Sequence, residues 1–201
     1  MSRETEIGYL SYMYGTPIRR QVSQHVTAET FAYWSRKRAR REEVVLFLIR
    51  ENGFLLLHTK GFYPPDAFRV PSGGVKAGEA LLDAAGREAY EETGLCVQVD
   101  RFLAIVDFVF WCDQDSIPFR SNLFLLHELS GQLKTHDVAE GITEFREIPV
   151  AELPAVAHNL EHLPSEWSNW GAFRAVPHRL AAEVLLPAPP RAITLSSSED
   201  D

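Results

Sequence analysis

Glu88, Glu91 and Glu92 stand in the run REAYEETGL, where a helical twist of about 100° per residue puts Glu88 and Glu92 on one face and Glu91 about 80° round from them. Residues 80–92 are rich in Ala, Leu, Glu and Arg, and Gly94 stands where a left-handed residue would stop a helix. The three carboxylates therefore converge in a last turn, where the helix dipole already carries partial negative charge and Lys or Arg would be favoured. That arrangement is costly without a cation. Oxygen-only ligands select a hard ion, Mg²⁺ or Mn²⁺, able to hold the carboxylates and a substrate phosphate together. If repulsion dominates, changing Glu91 and Glu92 to Gln should raise the melting temperature even without metal. Arg87, four residues before Glu91, is placed to orient it.

The whole stretch 73–95, GGVKAGEALLDAAGREAYEETGL, resembles the Nudix box, the signature of the Nudix hydrolases. That pattern is Gly, five residues, Glu, seven residues, Arg-Glu, an apolar residue, any residue, Glu-Glu, any residue, Gly and an apolar residue. Gly73, Glu79, Arg87, Glu88, Ala89, Glu91, Glu92, Gly94 and Leu95 fill every position. The resemblance implies an α/β fold of the α+β kind, the Nudix α/β/α sandwich with a mixed central sheet. It implies Glu88, Glu91 and Glu92 as metal ligands, Glu88 also as a candidate base, and Glu79 and Gly73 as supports of the loop. In this family a backbone carbonyl just before the box glycine can join the metal. Here that residue is Ser72, where Gly is common; the carbonyl is retained, but the loop's freedom to reach positive φ is reduced.

The implied reaction is Mg²⁺- or Mn²⁺-dependent hydrolysis of the diphosphate bond in a nucleoside diphosphate linked to another group, and the partner is that small molecule. Two metals bridging a diphosphate need more oxygen ligands than three side chains supply, so a carboxylate from outside the box is expected from the segment 137–144. Glu140, beside Gly141, is preferred over Glu144, which enters a strand next to Arg146. Arg69, Phe110 and Arg120 are candidates for binding substrate; Phe110 could stack on a base or fill the core. A silent nucleotide-binding module on the same fold is the alternative, although the box is intact. An isoprenoid-diphosphate isomerase would need a reactive cysteine, and Cys96 and Cys112 both fall in apolar runs that read as buried strands.

A chain of 201 residues, 45% hydrophobic and 24% charged, suits one globular domain with embellishments. The net charge of −8 argues against a large nucleic-acid footprint. The N-terminus lacks an apolar signal core, and no apolar run reaches membrane-spanning length, so a cytoplasmic protein without a membrane partner is expected. Residues 1–40 read as an extension plus a helix. Within it, residues 1–26 hold a short strand and serve as a strap over the core, a homodimer contact or a substrate lid. Thr27 caps a helix running to the cationic stretch 36–41.

Residues 41–163 form the hydrolase-like domain. Val44 to Ile49 and Phe54 to His58 pair as a hairpin through Asn52-Gly53. Short strands follow at 68–70 and 96–99, longer ones at 102–111 and 123–129 with a loop across 112–121, and a last strand at 144–148. A helix is expected across 150–163. Residues 164–186 form a further helix, kinked or restarted at Pro177, whose Trp167, Trp170 and Phe173 make a packing stripe. Its His178 and Arg179 read more simply as core or surface than as substrate contacts. The Pro- and Ser-rich tail 187–201 is expected to be disordered.

Overall fold

The computed structural model describes residues 1–36 and 41–187. The interior of the cationic stretch, residues 37–40, and the tail from 188 lie outside them. Among the described residues, seven strands form a mixed sheet. They are β1 (Ile18–His25), β2 (Glu42–Ile49), β3 (Leu55–Lys60), β4 (Ser72–Gly74), β5 (Leu95–Cys112), β6 (Asp115–Gly131) and β7 (Ile142–Ile148), in the order β1-β5-β6-β2-β3-β7, with β4 against β2. The β1–β5 and β6–β2 pairs are parallel and the others antiparallel.

Strand β2 lies inside the sheet, which is why its sequence is continuously apolar rather than alternating. Val44, Leu46 and Leu48 point into one core, with α1 (Arg3–Tyr14) and α3 (Leu81–Thr93) above them. Val45, Phe47 and Ile49 point into the other, which α5 (Ser168–Leu185) covers through Phe173, Leu180 and Ala181. Two further helices, α2 (Ala28–Arg36) and α4 (Leu153–Glu161), complete this α/β/α sandwich. Trp34 of α2 packs on the second core, stacked on Phe110 at 5.3 Å. The Asn52-Gly53 turn, with Gly53 at φ 84°, returns β2 into β3 as expected.

Several expectations are corrected. The segment 112–121 is not a loop. Asp113 adopts a left-handed φ of 54°, and Cys112 pairs directly with Asp115, so β5 and β6 make one long hairpin. Pro118 pairs with Val109 of β5 inside this hairpin, and among the described residues the pairing of β2 with β6 begins at Arg120. The strands expected at 96–99 and 102–111 are one strand, β5, interrupted only by irregularities in register. Around residue 69 there is a single bridge to His58, and the pairing with β2 starts at Ser72. Helix α5 runs through Pro177 without a restart. Cys96 is exposed rather than buried, because it follows the core residue Leu95 and the pleat turns it to solvent; Cys112 is half-buried.

The N-terminal segment holds a helix that its weak periodicity had concealed. Ile7 and Leu10 bury against α3 and the sheet, so it straps the core. It also caps. Ala80 at the start of α3 has no side-chain oxygen to offer, and the Leu81 N–H instead donates to the buried Glu6 carboxylate at 2.6 Å. Arg3 pairs with Glu6, with Glu42 at 2.8 Å, and donates to the Glu79 carbonyl at 3.1 Å. Losing a helix cap costs about 0.5–2 kcal/mol, so Glu6→Ala should lower the melting temperature by about 1–8 °C in a thermal scan. A melting curve identical to wild type would show that α3 does not depend on this cap.

Candidate active site

A cavity of about 670 Å³ opens between α2, the loop after β3, β4 and the start of α5. One part of its wall is polar, formed by Glu88, Glu140, Lys60, Arg69, Ser72, Gly73 and Gly74. Another is aromatic, with Trp34, Tyr63, Trp167 and Trp170 prominent.

Glu88 lies across Gly73. A Cβ at residue 73 would overlap the Glu88 carboxyl carbon and both its oxygens, so only glycine admits this approach. None of residues 72–74 needs positive φ, because β4 is extended along β2; the expected conformational cost of Ser72 therefore does not arise. Burial pushes the Glu88 carboxyl up to about 7, Arg87 opposes the shift, and Glu92 and Glu91 add to it.

Arg87 organises the surrounding carboxylates. Its guanidinium donates to Glu79 at 2.7 and 2.8 Å, to Glu88 at 2.6 Å, to Glu91 at 3.0 Å and to the Gly74 carbonyl at 3.0 Å. These hydrogen bonds hold Glu79 down at about 2. Glu79 in turn accepts the Lys76 N–H at 2.8 Å, closing the loop before α3.

Glu92 is fully buried and accepts the Ser72 N–H at 2.8 Å. Its other oxygen takes no hydrogen bond, and Lys60 and Arg69 answer its charge from 3.3 and 3.8 Å. Burial raises the Glu92 carboxyl, and Arg69 and Lys60 pull it back. His58 stands 3.6 Å away with both ring nitrogens unpartnered; burial, then Arg69, Lys60 and Arg174, keep it neutral, so this contact is no ion pair. The sequence expectation that Glu91→Gln with Glu92→Gln would stabilise the fold is therefore revised. Arg87, Lys60 and Arg69 already offset the repulsion, and neutralising Glu92 would leave buried cations underpaired.

The loop that brings Glu140 to the cavity is tied to the end of α3. Gly94, at φ 73°, ends the helix, and the N–H groups of Lys134, His136 and Asp137 donate to the Thr93 and Glu91 carbonyls at 2.9–3.1 Å. A short 3₁₀ turn, Val138–Glu140, then sets Glu140 on the rim, paired with Lys60. Glu144 lies on the exposed face of β7, 3.9 Å from Arg146, and does not line the cavity.

Of the substrate candidates, Arg69 lines the cavity but is committed, donating to Tyr63 Oη, Val70 O and Ser72 Oγ at 2.8–3.1 Å. Phe110 is corrected to core: it is 1% exposed and packed among Trp34, Phe108, Phe119 and Phe173, so no base reaches it. Arg120 is also corrected. It pairs with Asp107 at 2.6 Å and Glu4 at 3.1 Å, away from the cavity lining. Neither cysteine lines the cavity.

Residues not anticipated include Lys60, Tyr63 and the Glu43–Arg174 pair at 2.9 Å, whose Glu43 also accepts from Ser121 Oγ. Of the stripe read as packing, Phe173 is buried, Trp170 packs on Ala157, Leu160 and Ala175 while also facing the cavity, and Trp167 faces the cavity. His178 is core: its Nδ1 donates to the Arg174 carbonyl at 2.8 Å and its Nε2 accepts the Val70 N–H at 3.2 Å. Arg179 pairs with Glu161 on the surface.

The donor set fits a hard divalent ion: carboxylates, a backbone carbonyl beside Gly73, and a buried Glu92 oxygen without a hydrogen bond. Arg87 holds Glu88 and Glu91 on itself while Ser72 draws Glu92 inward. Consistent with that spread, the trio of ligand atoms within 4.8 Å of one another among the described residues is elsewhere, at the exposed His158, Glu161 and His162. No helix among the described residues is long and apolar enough to cross a membrane.

A model of the NUDIX domain matches residues 39–170. The chain is 29% identical over 124 residues to an ADP-ribose pyrophosphatase of Methanocaldococcus jannaschii, covering 60% of this chain and 69% of that protein. Among solved structures it is similar to an ADP-ribose pyrophosphatase from Streptococcus suis, at a TM-score of 0.46 and 16% identity over 74% of this chain and 93% of the other. It is also similar to a UDP-X diphosphatase, at a TM-score of 0.47 and 17% identity over 79% and 72% of the two chains.

His178 supplies a pH test of the packing under the site. Burial first, then Arg69 and Arg174, lower it from 6.5 to about 4 despite its bond to Arg174 O. The unfolded chain therefore binds the extra proton first, and the stability this neutral histidine contributes is complete above pH 6.5 and lost as pH falls toward 4. Glu88, shifted the other way, contributes with opposite sign, so wild type must be compared with His178→Gln. Urea unfolding should show the wild-type advantage shrinking by about 3 kcal/mol between pH 6.5 and 4. A difference independent of pH would mean that His178 is not held neutral.

Proposed function

The chain belongs to the NUDIX family, and on that premise we propose that it hydrolyses the diphosphate bond of a nucleoside diphosphate linked to another group, using Mg²⁺ or Mn²⁺. The catalytic unit is residues 41–163, with the flanking helices attached to it. The observation that carries this reading is Glu88 lying across Gly73 in a cavity walled elsewhere by aromatic rings. ADP-ribose and UDP-X, named for two of the similar proteins, are both nucleoside diphosphates bearing a further group.

Glu88, Glu91, Glu92 and the Ser72 carbonyl would hold the metal, which when bound lowers the pKa of water and offsets charge on the bridging phosphate oxygens. Arg87 keeps Glu88 and Glu91 oriented before any substrate arrives, and Glu79 fixes Arg87. Lys60 is buried between Glu92 and Glu140, and a shift of its ammonium to a phosphate oxygen would free Glu140. Its position on the cavity rim, outside α3, supports Glu140 as the carboxylate that takes a proton from the attacking water.

With Mg²⁺ or Mn²⁺ in ¹⁸O water, a panel of nucleoside diphosphate derivatives read by mass should give two phosphorylated products, one carrying the label on phosphate. Glu140→Gln should lower kcat by about 10²-fold with KM nearly unchanged, and Glu144→Gln should leave both unchanged. Label in a sugar hydroxyl would rule out attack on phosphorus. A fully active Glu140→Gln would transfer the base role to Glu88.

A further inference from the structure

Trp167, in a short turn before α5, and Trp170, in its first turn, stand edge to face at 5.5 Å. Tyr63 lies 4.6 Å from Trp170 and 5.9 Å from Trp167. All three are only half-buried and line the cavity, so their remaining apolar surface faces the space a ligand would fill. Every nucleobase has a π-face that can stack on such rings.

The charges around this wall are uneven. Among the described residues, the three cations lining the cavity are each engaged: Lys60 with Glu92 and Glu140, Arg69 near Glu92, and Arg174 with Glu43. Among the described residues, the exposed charged side chains that line the cavity are Glu29, in the first turn of α2, and Glu166, between Ser165 and Trp167; the exposed Arg36 at the far end of α2 is not part of the lining. An ionised carboxylate only accepts hydrogen bonds. It therefore favours a ring edge that donates, such as an exocyclic amino group, and disfavours the carbonyl oxygens that flank the single N–H of uracil.

We propose that Tyr63, Trp167 and Trp170 form a nucleobase subsite which, with Glu29 and Glu166 at its rim, selects an amino-bearing base over uracil. This rests on the reading of the substrate as a nucleoside diphosphate derivative. The amino-bearing bases are adenine, guanine and cytosine, and the purines offer the larger stacking face.

AMP and UMP, titrated into the metal-free full chain, test it by tryptophan fluorescence and calorimetry. AMP should quench the fluorescence and bind about tenfold more tightly than UMP, and Trp170→Ala should weaken AMP by about tenfold. The double variant Glu29→Gln, Glu166→Gln changes only exposed groups and should narrow the AMP-to-UMP ratio. Equal binding of AMP and UMP, or a ratio untouched in the double variant, overturns the proposal. Neither probe contains a diphosphate, so a failure of hydrolysis leaves this result standing. Hydrolysis of diphosphates together with indifference between AMP and UMP would sink the subsite alone.

Discussion

One guanidinium holds the site together. Arg87 divides its donors among Glu79, Glu88, Glu91 and the Gly74 carbonyl, all within 3.0 Å, and so ties the loop before α3 to the face of α3 itself. A planar fork of five donors can do this; a lysine, with one point of charge on a flexible stem, could not reach the four groups in fixed directions. Glu88 is thereby aimed across Gly73. The close approach is possible because residue 73 has no Cβ.

Both ends of α3 are then anchored by segments distant in sequence. Glu6 from the N-terminal helix caps its start, and the backbone of 134–137 caps its last carbonyls while carrying Glu140 to the cavity rim. The cost of gathering negative charge at a helix C-terminus is met within the chain: Arg87 faces the outer carboxylates, and Lys60 and Arg69 face the buried Glu92. Preorganised charge of this kind needs little rearrangement when the reaction develops charge of its own.

The box itself was legible because its spacing maps onto one helix face and its turn residues act locally. Gly94 does end the helix, and Asn52-Gly53 does turn the hairpin. What sequence could not show depends on tertiary pairing. Asp113 and Pro118 signal a loop, yet one is the left-handed corner of a hairpin and the other pairs with Val109 within strand β6. Glu6 is an ordinary surface glutamate until the fold sets it under the Leu81 N–H. Trp167, Trp170 and Phe173 share one spacing, but only Phe173 is buried; Trp170 packs on Ala157, Leu160 and Ala175 while also lining the cavity, and Trp167 lines the cavity. Lys60 carries no motif at all, and its burial between two carboxylates follows only from β3 running beneath Glu92.

The central claim, that Glu88 is a cation ligand held in place by the missing Cβ at residue 73, can be measured without turnover. Mn²⁺ binding by calorimetry to wild type and to Gly73→Ala, with circular dichroism to verify that both are folded, isolates it. A displaced Glu88 should weaken Mn²⁺ by about 10–100-fold in a variant whose spectrum matches wild type. Equal affinity in the two folded proteins would contradict the account.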